Sequence, residues 1–205
     1  METRVAEASF ESLLEPYLEG ETRARMAAYA ELLERWSARH NLVRWRDRGE
    51  LVERHLVEAL AGRSWLGARG MLVDVGSGAG LPGVPLLIAR PGWRGELIEP
   101  RQKRWAFLRL VIRELDLQAV VRQQRFQDDD RPEVLFDVIT VRALALSSEL
   151  LGWARTRLAP GGRALLWTTD DGERCLRREA GWRVLSSALP SLEHGRLVSL
   201  EPCFT

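Results

Sequence analysis

Val73-Asp74-Val75-Gly76-Ser77-Gly78-Ala79-Gly80-Leu81-Pro82-Gly83 is the stretch on which the fold turns. Its lead-in, Met71-Leu72-Val73-Asp74-Val75, reads as a buried strand. Three alternating glycines follow, and a short helix is expected over 84–89. Glycine admits positive φ and lets a ligand approach the backbone with no Cβ in the way. At the carboxyl end of a parallel strand, such a loop stands where doubly wound sheets bind ligands.

Downstream of the loop, strand and helix alternate. Strands are expected over 96–99, 119–122, 135–141, 163–168, 182–187 and 196–200, and helices over 103–115 and 147–158. Trp105, Leu108, Ile112 and Leu115 share one stripe of the first of these helices. Pro160-Gly161-Gly162 reads as a turn. Alternating units imply a mostly parallel sheet, and the last two strands, with no helical period between them, an antiparallel hairpin at its edge. Upstream, the periodicity is helical. A helix over 9–18 opens on Ser9, and one over 21–39 places Met26, Tyr29, Leu33 and Trp36 on one face and ends near Asn41. A third opens at Asp47 with Glu50 as a capping box, presents Val52, Leu56, Ala59 and Leu60, and closes at Gly62. The expected organisation is a helical extension, 1–69, packed on an α/β core, 70–205.

The 205 residues suffice for one core without staples. Apolar residues make up 45% and charged ones 29%, which excludes disorder, collagen and coiled coil for the whole chain. Thirty basic residues against 29 acidic ones exclude a generic polycation that coats nucleic acid. Lys103 is the only lysine among the basic residues. Cys175 and Cys203 alone make neither a disulfide framework nor a zinc cluster. The start, Met1-Glu2-Thr3-Arg4-Val5-Ala6-Glu7, lacks an apolar signal core, and no stretch is long enough for a membrane span, so a cytoplasmic protein without metal is expected.

The glycines narrow the ligand. The dinucleotide fingerprint has glycines at its first, third and sixth positions, and here the sixth is Leu81. S-adenosylmethionine carries no phosphate. It needs close backbone approach and an acid for its ribose hydroxyls, and Glu99, 23 residues after Gly76, can supply that acid. The competing account of the glycines is a tight turn with an acidic cap.

Asp74-Val75-Gly76-Ser77-Gly78-Ala79-Gly80-Leu81-Pro82-Gly83 resembles the D-V-G-[ST]-G-x-G-L-P-G signature of the bacterial small-subunit ribosomal RNA methyltransferase G family, also called glucose-inhibited division protein B. His40-Asn41-Leu42 resembles its H-N-L, and Arg54-His55-Leu56-Val57-Glu58-Ala59-Leu60 its R-H-[IL]-x-[DE]-S-L. Lys103-Arg104-Trp105-Ala106-Phe107-Leu108 and Val141-Arg142-Ala143 resemble its K-R-x-x-F-L and [SV]-R-A. The resemblance implies a class I S-adenosylmethionine-dependent methyltransferase fold, Rossmann-like, with an N-terminal helical extension. It implies transfer of a methyl group from S-adenosylmethionine to N7 of a guanine in small-subunit (16S) ribosomal RNA. By position it implies that Gly76 and Leu81 line the cofactor, beside the Gly78 and Glu99 read from the loop itself, and that Phe126 and Gln127 flank the adenine. Arg142 would stand where cofactor and substrate meet. This chain has Gln127 where the family has an acid, and Trp167-Thr168-Thr169-Asp170-Asp171 where the family has Lys-Gly.

The chemistry agrees with the residues. Guanine N7 offers an unprotonated lone pair in the ring plane, so attack needs alignment and no general base. The place after the fourth strand, Thr140-Val141-Arg142-Ala143, lacks the Asn/Asp-Pro-Pro-aromatic motif of amine methyltransferases, and neither cysteine sits where a carbon-5 nucleophile would. Arg142 is the expected catalytic residue, holding guanine O6, a phosphate or the methionine carboxylate; the alternative pairs it with Glu149 or an aspartate of 128–130. Arg39, His40, Arg44, Arg46 and Arg48 around Trp36 and Trp45, and Arg101, Lys103, Arg104 and Arg109 beside the glycine loop, suit phosphates and unstacked bases. They suit a solvated helix face equally. The expected partner is ribosomal RNA or the ribosomal subunit, approached by a monomer. Two other functions stay open: methylation of a small molecule or protein, and a non-catalytic ribosome-associated module that binds the cofactor.

Overall fold

β1 (Gly70–Val75), β2 (Trp93–Ile98), β3 (Ala119–Arg122), β4 (Phe136–Arg142), β5 (Leu158–Thr169), β6 (Trp182–Ala188) and β7 (Gly195–Pro202) form one sheet in the order β3-β2-β1-β4-β5-β7-β6. This is a computed structural model that describes residues 8–203, so the run 1–7 read above lies outside it. The first five strands pair in parallel, while β7 runs antiparallel to both β5 and β6. The closing hairpin is thus present at the sheet edge, with its second strand inserted between β5 and β6. α5 (Gly83–Ala89), α6 (Gln102–Glu114) and α7 (Ser148–Arg157) make the crossovers. From β1 the chain winds out to β2 and β3, then returns to β4 on the other side of β1. A crevice opens there, outside the carboxyl ends of the strands.

Alternation along β1 sorts its side chains between two cores. Val73 and Val75 join Ile98, Ile139, Val141, Leu150 and Leu166 on one face. Leu72 joins Leu97, Phe107, Leu108 and Leu165 on the other, together with Phe10, Met26, Tyr29, Leu33, Leu51 and Leu56 from residues before 70. Those earlier residues lie in α1 (Phe10–Leu14), α2 (Gly20–His40) and a helical run over 48–65. Their apolar faces therefore close on the sheet itself.

Each helix carries its sequence signals, with local revisions. The Ser9 side chain caps α1 through the Ser12 N–H, as its position suggests. The helix stops at Leu14, short of 18, because Pro16 has no N–H to extend the ladder. α2 ends where expected, on Asn41 in the left-handed conformation with φ 48°. Asp47 accepts the Glu50 N–H at 2.8 Å, while the Glu50 carboxylate takes the Arg46 N–H at 2.7 Å, one residue before the reciprocal partner of a capping box. The run over 48–65 changes pitch. It is α over Arg48–Leu51 (α3), π over Val52–Val57, α over Glu58–Leu60 (α4) and 3-10 over Ala61–Trp65. Gly62 does not close it. A Cβ there would stand 2.7 Å from the Trp167 ring, so this glycine serves close packing.

In α6 the fully covered residues are Phe107, Leu108 and Val111, and Trp105 and Ile112 are only half covered. The stripe is rotated because Phe107 inserts toward α2, its ring 5.5 Å from that of Trp36. Pro160-Gly161-Gly162, expected as a turn ahead of a strand starting at 163, lies inside β5, which already begins at Leu158. It is an irregularity within β5, where pairing jumps from Phe136↔Leu158 to Val138↔Arg163 and Gly161 takes φ 79°. A short helix, α8 (Asp170–Leu176), follows β5 unforeseen, opened by the Thr169 side chain on the Gly172 N–H.

Candidate functional site

The glycine loop is shaped by a buried acid. Asp74 is 1% exposed at the end of β1. It accepts hydrogen bonds from Ser77 Oγ at 2.5 Å, Thr140 Oγ1 at 2.8 Å and the Gly83 N–H at 3.2 Å. The start of α5 is therefore faced by a carboxylate of the chain itself, where a dinucleotide fold would hold a pyrophosphate. Burial pushes the Asp74 carboxyl above the ordinary range, against the pull of these donors. From the other side, the buried Tyr29 hydroxyl of α2 donates to the Ala79 carbonyl at 2.6 Å. That approach explains Gly80, where a Cβ would stand 2.7 Å from Val84 and 3.0 Å from the Tyr29 oxygen.

Glu99, the first residue beyond β2, is 3% exposed. Its two carboxylate oxygens accept the Gly78 N–H at 2.9 Å and the Arg101 N–H at 2.8 Å. The acid and the loop thus form one cradle. Gly78 takes φ 61°, and a Cβ there would reach ordinary contact with the Arg104 guanidinium and the Gly76 carbonyl, each at 3.7 Å, across the space beside the loop. That space is a cavity of about 600 Å³ lined by Leu42, Gly76, Gly78, Glu99, Arg104 and Arg142, with Leu81 and Arg101 also on its wall. A second lobe of about 640 Å³ shares Gly76 and Arg101 and is lined by Ile98, Phe126, Gln127 and Leu144. Phe126 packs edge-on against Trp153 at 5.7 Å, and the Gln127 amide donates to Glu149 at 3.1 Å.

S-adenosylmethionine fits this donor set. Each Glu99 oxygen keeps a lone pair for a ribose hydroxyl after its backbone bond. Gly78 leaves the room a Cβ would fill. The largely apolar second lobe suits an adenine, with the Gln127 carbonyl oxygen left to accept from its amine.

Arg142, at the end of β4, reaches away from the sheet into the π segment. Its guanidinium donates to the carbonyls of His55 at 3.2 Å and Arg54 at 2.8 Å, and to the Glu58 carboxylate at 2.9 Å. Its partner is thus Glu58, not Glu149 or the aspartates of 128–130. Asp129 is instead bound by Arg131 and Arg157. An arginine has five N–H groups, so donors remain on the residue that lines the cavity. Sequence reading missed Glu58 and Tyr29, because a buried ion pair and a hydroxyl-to-loop bond leave no periodic trace. His55 also lines the cavity, and burial with the Arg142 charge lowers its pKa, which favours the uncharged ring.

The cationic residues do not form one patch of equals. Arg101 and Arg104 line the cavity, and Lys103 is exposed beside them. Arg39, His40 and Arg44 are exposed at and beyond the end of α2 and do not line it. Arg46 is held by Glu50 at 3.1 Å and Arg48 by Glu34 at 2.7 Å. Among the described residues no cluster of His, Cys, Asp or Glu could hold a metal ion, and no helix is long and apolar enough to cross a membrane.

A family model for rRNA small subunit methyltransferase G matches residues 22–187. A protein named Ribosomal RNA small subunit methyltransferase G from Aromatoleum aromaticum is 36% identical over 174 residues, covering 82% of each chain. One of the same name from Xanthomonas campestris pv. campestris is 36% identical over 169 residues, covering 82% of this chain and 79% of that one. Among solved structures, a methyltransferase from Geobacter sulfurreducens superposes with a TM-score of 0.62 at 14% identity, over 93% of this chain and 95% of that one. The ribosomal protein L11 methylase from Lactobacillus delbrueckii subsp. bulgaricus gives 0.59 at 12% identity, over 74% and 79%. The fold is that of the class I methyltransferases.

Proposed function

The chain belongs to the rRNA small subunit methyltransferase G family, and we propose that it transfers a methyl group to N7 of a guanine in small-subunit ribosomal RNA. The methyl donor is S-adenosylmethionine, which supplies an electrophilic methyl on its sulfonium. One observation carries the reading: Glu99 and the backbone at Gly78 form a cradle on a cavity that Arg142, Arg101 and Arg104 also line.

The roles follow from that geometry. Gly76, Gly78, Leu81 and Glu99 hold the donor's ribose and tail, and Phe126 and Gln127 receive its adenine. Arg142 stands on the substrate side and orients the guanine through O6 or its phosphate, leaving N7 free to attack. No residue has to remove a proton, since N7 carries none, and the enzyme's contribution is alignment at near-attack distance. Arg101, Lys103 and Arg104, with Arg39 and Arg44 further off, receive phosphates of the strand, and His40, between the latter two in sequence, faces the RNA with them. Arg46 contributes least, since Glu50 holds it. A paired guanine cannot enter such a cavity, so the target is unpaired or extruded. We take the enzyme to be a cytoplasmic monomer, with 1–69 as a helical extension of its core.

Mass spectrometry of ribosomal RNA from cells with and without the gene tests this. Loss of one 7-methylguanosine from the small-subunit RNA, restored by the purified protein and S-adenosylmethionine, is the expected result. Labelled methyl appearing only on protein or a small molecule would overturn it.

A further inference from the structure

A groove of about 650 Å³ lies between α2 and α6, outside the cavity already described. Trp36, His40, Arg35, Arg39, Leu32 and Leu110 line it, with Ala38 and Glu114 at its margin. The Trp36 and His40 rings pack against each other, centroids 5.1 Å apart at an interplanar angle of 50°, and form an aromatic wall of the groove. Trp36 is braced from behind by Phe107. His40 is exposed. Trp36 is half-buried, so the ring the fold leaves most open is that of His40.

Charge identifies the occupant. Among the described residues the side chains of Arg35 and Arg39 make no hydrogen bond or ion pair, and the same holds for Arg44, Lys103 and Arg104 toward the cavity. The acid at the margin, Glu114, is held by Arg113 at 2.9 Å. An aromatic wall flanked by unpaired guanidinium groups matches an unstacked base and its phosphate: the open face of the His40 ring takes the base by stacking and the arginines take the anion. An acidic peptide would use the arginines and leave the rings bare.

Position identifies which base. Asn41, left-handed, ends α2 and turns the chain directly into Leu42 and Val43 on the cavity wall. Two chain steps separate His40 from Leu42, at most about 7 Å. We propose that the groove walled by the Trp36–His40 pair binds a nucleobase that flanks the target guanine on the same RNA strand. The proposal rests on the ribosomal RNA reading above and adds a second base subsite to it.

His40→Ala and His40→Tyr separate the alternatives, since both change one exposed side chain. With small-subunit RNA or subunits as substrate, His40→Ala is expected to raise the KM for RNA about tenfold, in line with the loss of one stacked base. His40→Tyr keeps a ring and is expected to stay within about twofold of the parent. S-adenosylmethionine affinity, read by calorimetry, should not move in either variant. RNA carrying 4-thiouridine should crosslink on illumination to the peptide that holds Trp36 and His40. An unchanged KM in His40→Ala, or equal losses in both variants, overturns the stacking subsite. So do crosslinks confined to the main cavity. Failure of the parent protein to methylate RNA at all would instead overturn the functional reading.

Discussion

Arg142 and Glu58, 84 residues apart in sequence, form an ion pair of 2.9 Å that ties the end of β4 to the helical run preceding the sheet. The Glu58 side chain is fully buried, and its backbone carbonyl accepts the Trp167 indole N–H at 2.8 Å. Burial pushes the Glu58 carboxyl upward, and the Arg142 charge draws it back. Arg142→Ala therefore strands a buried carboxylate and should cost about 3 kcal/mol of stability. Adding Glu58→Gln removes that charge and should restore most of the loss, whereas methyl transfer stays abolished in both variants. Denaturant unfolding and turnover measured on the same preparations check this. A double variant that regains turnover would remove Arg142 from substrate contact.

Tyr29 connects the N-terminal helices to the glycine loop. Tyr29→Phe leaves the buried Ala79 carbonyl without its donor, an expected loss of about 1–2 kcal/mol. Because that carbonyl lies one residue from Gly78, S-adenosylmethionine should bind several-fold more weakly. Calorimetry on the folded variant reads it, and unchanged affinity would show the loop to hold its shape unaided.

Gly78→Val should abolish cofactor binding with the fold retained. The new methyl groups would extend past a Cβ already touching Arg104 and the Gly76 carbonyl and take up room on the cavity wall, and φ 61° adds roughly 1–2 kcal/mol of backbone strain. A folded variant that still binds would place the donor elsewhere.

Asp74 gives stability a pH dependence of defined sign. Its native pKa is raised by burial, so between the unfolded value, about 3.9, and that raised value the native state binds more protons than the unfolded one. The group's contribution is thus full below the unfolded value and declines as pH rises through the folded one. Asp74→Asn removes the titration. Its amide oxygen can take the Ser77 and Gly83 donors, and its NH₂ can donate to the Thr140 hydroxyl, which in turn faces the Val73 carbonyl at 3.3 Å. The melting temperature of the variant relative to the parent should therefore climb from pH 4 to pH 8. A flat or falling difference would refute the assignment.

The strands and most helices were legible because their signals are local. Alternation, caps and glycines act within a few residues, so β1, the loop, α2 and the closing hairpin read directly. Where the reading slipped, a distant partner had intervened: Trp167 needs Gly62 for space, and Phe107 turns α6 toward Trp36. The short α8 was missed although Thr169-Asp170-Asp171-Gly172-Glu173 carries an N-cap and an acidic first turn.

The chain's order of residues determined, unaided, an α/β sheet whose first loop bares its backbone beside an acid, since both features sit within one strand-loop-strand unit. Folding decided what that unit faces. Only the packed molecule brings Tyr29 beneath the loop, sets Glu58 against Arg142 and opens a ringed groove beside α2. Burial in common, not spacing, creates those contacts, and burial belongs to the whole sheet and its helices.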